Sequence, residues 1–139
     1  MYGDTAAGRK RVAQLREQGG DIRALAARLV SQAEAVPWHG KAAEAMRERI
    51  KERADHLRAA AAQHETAAES LARHLTEVDS LKEAIEVRAH KAASLVEDAR
   101  TRASETGDAG SDGAEAALLA FDPPPAGHKD WLTVDLPGL

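Results

Sequence analysis

The sequence predicts an all-α protein, an antiparallel helical hairpin with a long second helix. Three observations predict it. Ala, Leu, Arg, Lys and Glu dominate the chain, and these are the strongest helix formers. Apolar residues recur every seven positions over most of the first hundred residues. Only 3% of the residues are aromatic although 43% are hydrophobic, so the core is thin and Ala-rich. Such a core suits helices packed side by side better than a sandwich or a doubly wound sheet.

The first helix carries Leu15, Ile22, Leu29 and Val36 in one heptad row, with Val12, Gly19, Ala26 and Ala33 as the companion row. The phase continues through Gly19 and Gly20, which places both glycines inside one helix. The alternative ends a short helix at Gln18 and restarts it with Asp21 as N-cap. Pro37 stops the helix and biases Val36 away from helical angles. The connection Pro37-Trp38-His39-Gly40 is short, which favours an antiparallel neighbour.

The second helix starts near Lys41. Its seam is Ala43, Ile50, Leu57, His64, Leu71, Val78, Ile85, Ala92 and Ala99, flanked by Met46, Ala54, Ala61, Ala68, Leu75, Leu81, Ala89 and Val96. No Gly or Pro interrupts residues 41–103. Unbroken, that stretch would be ~95 Å long at ~1.5 Å per residue, about twice the first helix. Either it projects beyond the hairpin or it breaks; Ser80 and Glu83 have capping-box spacing. The unbroken heptad phase favours a continuous or gently bent helix. Leu15, Ile22, Leu29, Ile50, Leu57, Leu71, Val78 and Ile85 are the expected partner-interface seam, through which two hairpins would dimerise into a four-helix bundle.

Charge divides the chain. Residues 1–103 hold 18 basic and 16 acidic side chains, whereas residues 104–139 hold seven acidic ones and a single lysine. The expected organisation is a hairpin over 1–103 and an acidic, Gly/Pro-rich flexible tail over 104–139, either disordered or a docking segment. Within the tail, Trp131, Leu132, Val134 and Leu136 partly alternate with polar residues, as an extended docking segment does.

Trp38 and Gly40 stand at the reversal between two Ala-rich, cysteine-free amphipathic helices. That arrangement resembles the WXG100 (ESAT-6-like) family of type VII secretion proteins, over roughly residues 5–80. The resemblance implies that Trp38 and Gly40 form half of an export signal read by secretion machinery. In the family, the other half is a Tyr-x-x-x-Asp/Glu element beyond the second helix, often supplied by a partner subunit. This chain departs from the pattern: its one tyrosine is Tyr2. A simpler role for Trp38 is a plug at the end of the bundle, with the indole covering the apolar seam.

No pattern of catalytic residues emerges, and no enzyme is expected. Cysteine is absent, which removes thiolate chemistry and Cys-based zinc sites. The six histidines lack the spacing of a helical metal pair, and no serine lies in a Gly-x-Ser-x-Gly turn. No metal and no cofactor is expected. The interspersed acidic residues and the net charge of −4 argue against nucleic acid, and no apolar run is long enough for a membrane span. The first twenty residues contain no continuous apolar run, so no Sec-type signal is expected.

The expected function is therefore binding. The partner would be a second copy or a related helical-hairpin protein, and beyond it a larger secreted effector or toxin and a secretion ATPase. The protein would be secreted without a cleaved signal peptide, or cytoplasmic before export. The alternatives are a structural or adaptor coiled coil, and a delivery or neutralising partner of a toxin.

Overall fold

The computed structural model describes residues 5–107 and 113–139. Helix α1 spans Thr5–Ala35, α2 spans Lys41–Thr106 and α3 spans Gly113–Leu119; a 3-10 turn follows at Lys129–Thr133. No strand occurs among the described residues. Gly19 and Gly20 lie inside α1, and α2 continues through Ser80 without a break. Two compact units divide at Thr76 and Glu77, and α2 supplies residues to both.

In the first unit, α1 and α2 pack antiparallel. Gly8 lies beside Leu75, Gly19 beside Ala61, and Ala33 within reach of Arg47, so sequence number rises along one helix as it falls along the other. The contact row is made of small residues. Val12, Gly19, Ala26 and Ala33 are buried on α1; Ala43, Ala54, Ala61, Ala68 and Leu75 are buried on α2. Small side chains let two helix backbones approach closely. At Gly19 a Cβ would lie 3.4 Å from the carbonyl oxygen of Ala61, an ordinary contact with no room to spare. At Gly8 a Cβ would lie 2.6 Å from a methyl of Leu75, the largest side chain of the row. The larger apolar residues are displaced to the side: Leu15, Ile22, Leu29, Val36, Ile50, Leu57 and Leu71 are all half-buried.

In the second unit, the segment expected as a flexible tail folds onto α2. Ile85, Ala92, Val96 and Ala99 of α2 are buried together with Leu118, Trp131 and Leu136. Leu132, Val134 and Phe121 pack against this cluster. Arg88 of α2 holds the segment by its backbone, donating from Nε to the carbonyl of Trp131 at 2.8 Å and from Nη2 to that of Val134. The indole N–H of Trp131 donates to the carbonyl of Pro125 at 3.1 Å, and its ring lies 6.0 Å from that of Phe121 at 58°. The flexible tail is thus corrected to a packed one among residues 113–139. Gly- and Pro-rich composition argued for disorder, but Leu118, Trp131 and Leu136 are buried together against α2, the indole N–H has a partner, and Arg88 holds the backbone. Residues 108–112 lie outside the described residues, as does Tyr2.

Substitutions along the contact row separate space from propensity. Gly20 is helical, and nothing lies within 4 Å of where its Cβ would be. Gly20→Ala should therefore raise stability by up to ~1 kcal/mol. Ala61 is fully buried, and Ala61→Leu should lower stability by about 1–3 kcal/mol or more through overpacking. Thermal unfolding followed by circular dichroism would show opposite shifts of the midpoint. For the second unit, Trp131→Ala should cost about 3–5 kcal/mol and release residues 113–139. Hydrogen exchange should then rise in that segment while the amides of α1 keep their protection.

Candidate functional site

The turn between α1 and α2 is built by three residues. Pro37 ends α1 by the absence of its N–H and the clash of its ring with a continuing helix. Gly40 adopts φ 104°, a region that residues with a Cβ rarely occupy, and its carbonyl accepts the first bond of α2 from the Glu44 amide at 3.0 Å. Nothing lies within 4 Å of where a Gly40 Cβ would be, so backbone conformation, not space, demands glycine there.

Arg47 is the third. Its Nε donates to the carbonyl of Ala33 at 3.1 Å, and its Nη2 donates to those of Val36 at 2.7 Å and Trp38 at 2.8 Å. Helix α1 has no basic residue in its own last turn. Arg47 therefore brings from α2 both the donors and the positive charge that a helix C-terminus favours. Sequence reasoning did not single out Arg47. A signal was present: Arg47 shares its heptad row with Ala54, Ala61, Ala68 and Leu75, and it is the charged member of a row otherwise small and apolar.

Trp38 stands at this tip with 60% of its surface exposed, whereas Trp131 keeps only 5%. An indole so exposed has little burial through which to plug the bundle end. Below the tip, the hairpin is two-sided. In an antiparallel pair, the rows three residues beyond each contact row fall on the same side. One side therefore presents Leu15, Ile22 and Leu29 from α1 with Ile50, Leu57, His64 and Leu71 from α2. Leu25, 41% exposed, lies further round the same side. His64 interrupts the stripe, with Nδ1 placed 2.9 Å from the carbonyl of Ala60 on its own helix.

The rows four residues beyond the contact rows make the other side, which is largely polar. There Arg23 donates from Nε to Glu65 Oε1 at 2.6 Å and from Nη2 to Oε2 at 3.0 Å. The hydrogen bonds from Arg23, with the attraction of its charge, lower the Glu65 carboxyl below its ordinary value. Those same bonds raise Arg23.

Of the expected interface seam, Val78 and Ile85 belong to the second unit. Ile85 is corrected from partner-facing to internal, because it is 3% exposed in the cluster that holds Trp131 and Leu136. The expected docking residues Trp131, Leu132, Val134 and Leu136 likewise pack against α2 of their own chain. No helix among the described residues is long and apolar enough to cross a membrane. No protein-family model matches the chain, and neither a curated protein nor a solved structure does.

The ion pair makes a prediction with a definite sign. A carboxyl lowered in the folded state adds stability that is present above its ordinary value and is lost as pH falls through the lowered one. Both side chains are solvent-exposed, so the contribution is small and screened by salt. Acid titration of stability should be slightly flatter in Glu65→Gln than in the parent, and the difference should shrink in high salt.

Proposed function

We propose that this chain is a non-enzymatic, WXG100-like protein of a type VII secretion system. It pairs through the Leu15–Leu29 and Ile50–Leu71 face with a second hairpin, its own copy or a related protein, to make a four-helix bundle. The bundle presents the Trp38–Gly40 turn to the export machinery, and it is either exported itself or escorts a larger effector or toxin to a secretion ATPase. The observation that carries this reading is the exposed Trp38 on an ordered turn. A chain with few aromatic residues buries its other tryptophan and displays this one, which favours recognition over packing.

The one-sidedness of the hairpin supports the pairing. Half-buried Leu and Ile side chains along one face gain ~25 cal/mol for each Å² of apolar surface that a partner removes from water. The opposite face carries the Arg23–Glu65 pair and has less to gain. The absence of a Tyr-x-x-x-Asp/Glu element after α2 favours a second reading, an adaptor coiled coil with no export role. In the secretion reading, the partner supplies that element.

Two substitutions test these roles. Leu57→Glu should keep the helical content and convert the assembly to monomers in sedimentation. Trp38→Ala should alter stability by less than ~1 kcal/mol, as expected of an exposed site, keep the assembly, and abolish export when the protein is expressed with its genomic neighbours. Normal export of a folded Trp38→Ala protein would leave the adaptor reading standing.

A further inference from the structure

We infer that Arg47 is the positioning residue of the tip: its guanidinium presets the backbone conformation in which Trp38 is displayed. The inference rests on the reading of Trp38 as a recognition element. Among the described residues, no backbone-to-backbone hydrogen bond involves residues 36–39. Pro37 has no N–H to offer, and Gly40 gives the turn freedom without fixing it.

The carbonyls of Val36 and Trp38, on either side of Pro37, are instead gathered by one side chain. That side chain also reaches Ala33 on the last turn of α1. Arg47 therefore ties the end of one helix and the turn to the other helix. The planar fork is what makes this possible, because its donors diverge at fixed angles from a single group. A lysine ammonium in the same place carries the charge but not the divergent geometry.

A tip held this way is ordered before anything binds it. The partner that reads Trp38 then pays less of the entropy of arranging the turn, which is the general advantage of preorganisation. Arg47 acts at a distance from the indole, through the main chain, and so sets how Trp38 is presented without itself being the group recognised.

The test compares full-length Arg47→Gln, Arg47→Lys and Trp38→Ala. Nitrogen-15 relaxation of the Trp38 and His39 amides reads tip order, sedimentation reads assembly, and secretion from cells reads export. In Arg47→Gln the two amides should move from rigid order parameters, about 0.85, toward the flexible range below ~0.6. Helicity and assembly should be unchanged. Export should fall about tenfold, the factor to which ~1.4 kcal/mol corresponds.

Arg47→Lys should fall between the two. It carries the same test if Arg47→Gln does not fold, since it keeps the charge at the end of α1 and loses the fork. A purely stabilising role would lower the melting midpoint and reduce export only near it. The positioning role reduces export at temperatures where every variant is fully folded. Retained order at the tip of both Arg47 variants, or export lost while the tip stays ordered, overturns the role of Arg47 alone. Normal export of Trp38→Ala overturns the recognition reading itself, and the purpose assigned to Arg47 goes with it.

Discussion

The close approach of α1 and α2 along a row of Ala and Gly is the constraint on which the hairpin depends. Ala26, Ala54, Ala61 and Ala68 are fully buried, yet each buries little apolar surface. What they contribute is proximity: with so little bulk in the middle of the row the two backbones come close, as Gly19 does to the carbonyl of Ala61. The same constraint exiles the larger side chains. Leu15, Ile22, Leu29, Ile50 and Leu57 have no space between the helices and are pushed to one flank, half covered. A thin intramolecular core and an apolar outer face are therefore two consequences of one packing choice.

Close packing of long helices leaves their ends and connections to be settled separately, and in each unit an arginine on α2 does so. Arg47 gathers the carbonyls of Ala33, Val36 and Trp38; Arg88 gathers those of Trp131 and Val134. The acceptors of Arg47 lie at the end of α1 and in the turn beyond it, and those of Arg88 in the 3-10 turn and just after it, where α-helical partners run out. A charge-assisted donor from a rigid helix satisfies two or three of them at once. The outcomes differ in what is done with the nearby tryptophan. Around Arg88 the indole turns inward against α2, and around Arg47 it is left in solvent.

That difference is the basis for separating structure from recognition in this chain. Trp131 has a hydrogen-bond partner, an aromatic neighbour and a place in a buried cluster, so packing accounts for it fully. Trp38 has no comparable environment, and its tip is nonetheless ordered by specific hydrogen bonds. The apolar flank has the same character, with side chains that the chain itself only half covers.

The sequence by itself determined α1, α2 and the turn between them, because these rest on local causes. Seven-residue spacing, helix-forming composition, Pro37 and Gly40 act over a few neighbouring positions and hold wherever the helices come to lie. The heptad pattern also identified two rows on each helix, but it could not rank them. The tertiary structure put the Ala and Gly row between the helices, since only small residues permit the close approach, and left Leu15, Ile22 and Leu29 half-buried on the flank. Trp131 and its neighbours read as a tail because Pro and Gly forbid a helix there; that they pack on their own α2 depends on Ile85, Val96 and Arg88, tens of residues earlier. Arg47 was visible as a charge in an apolar row. Its role required three carbonyls from a different helix and turn to converge on it, and convergence of that kind is a property of the folded chain.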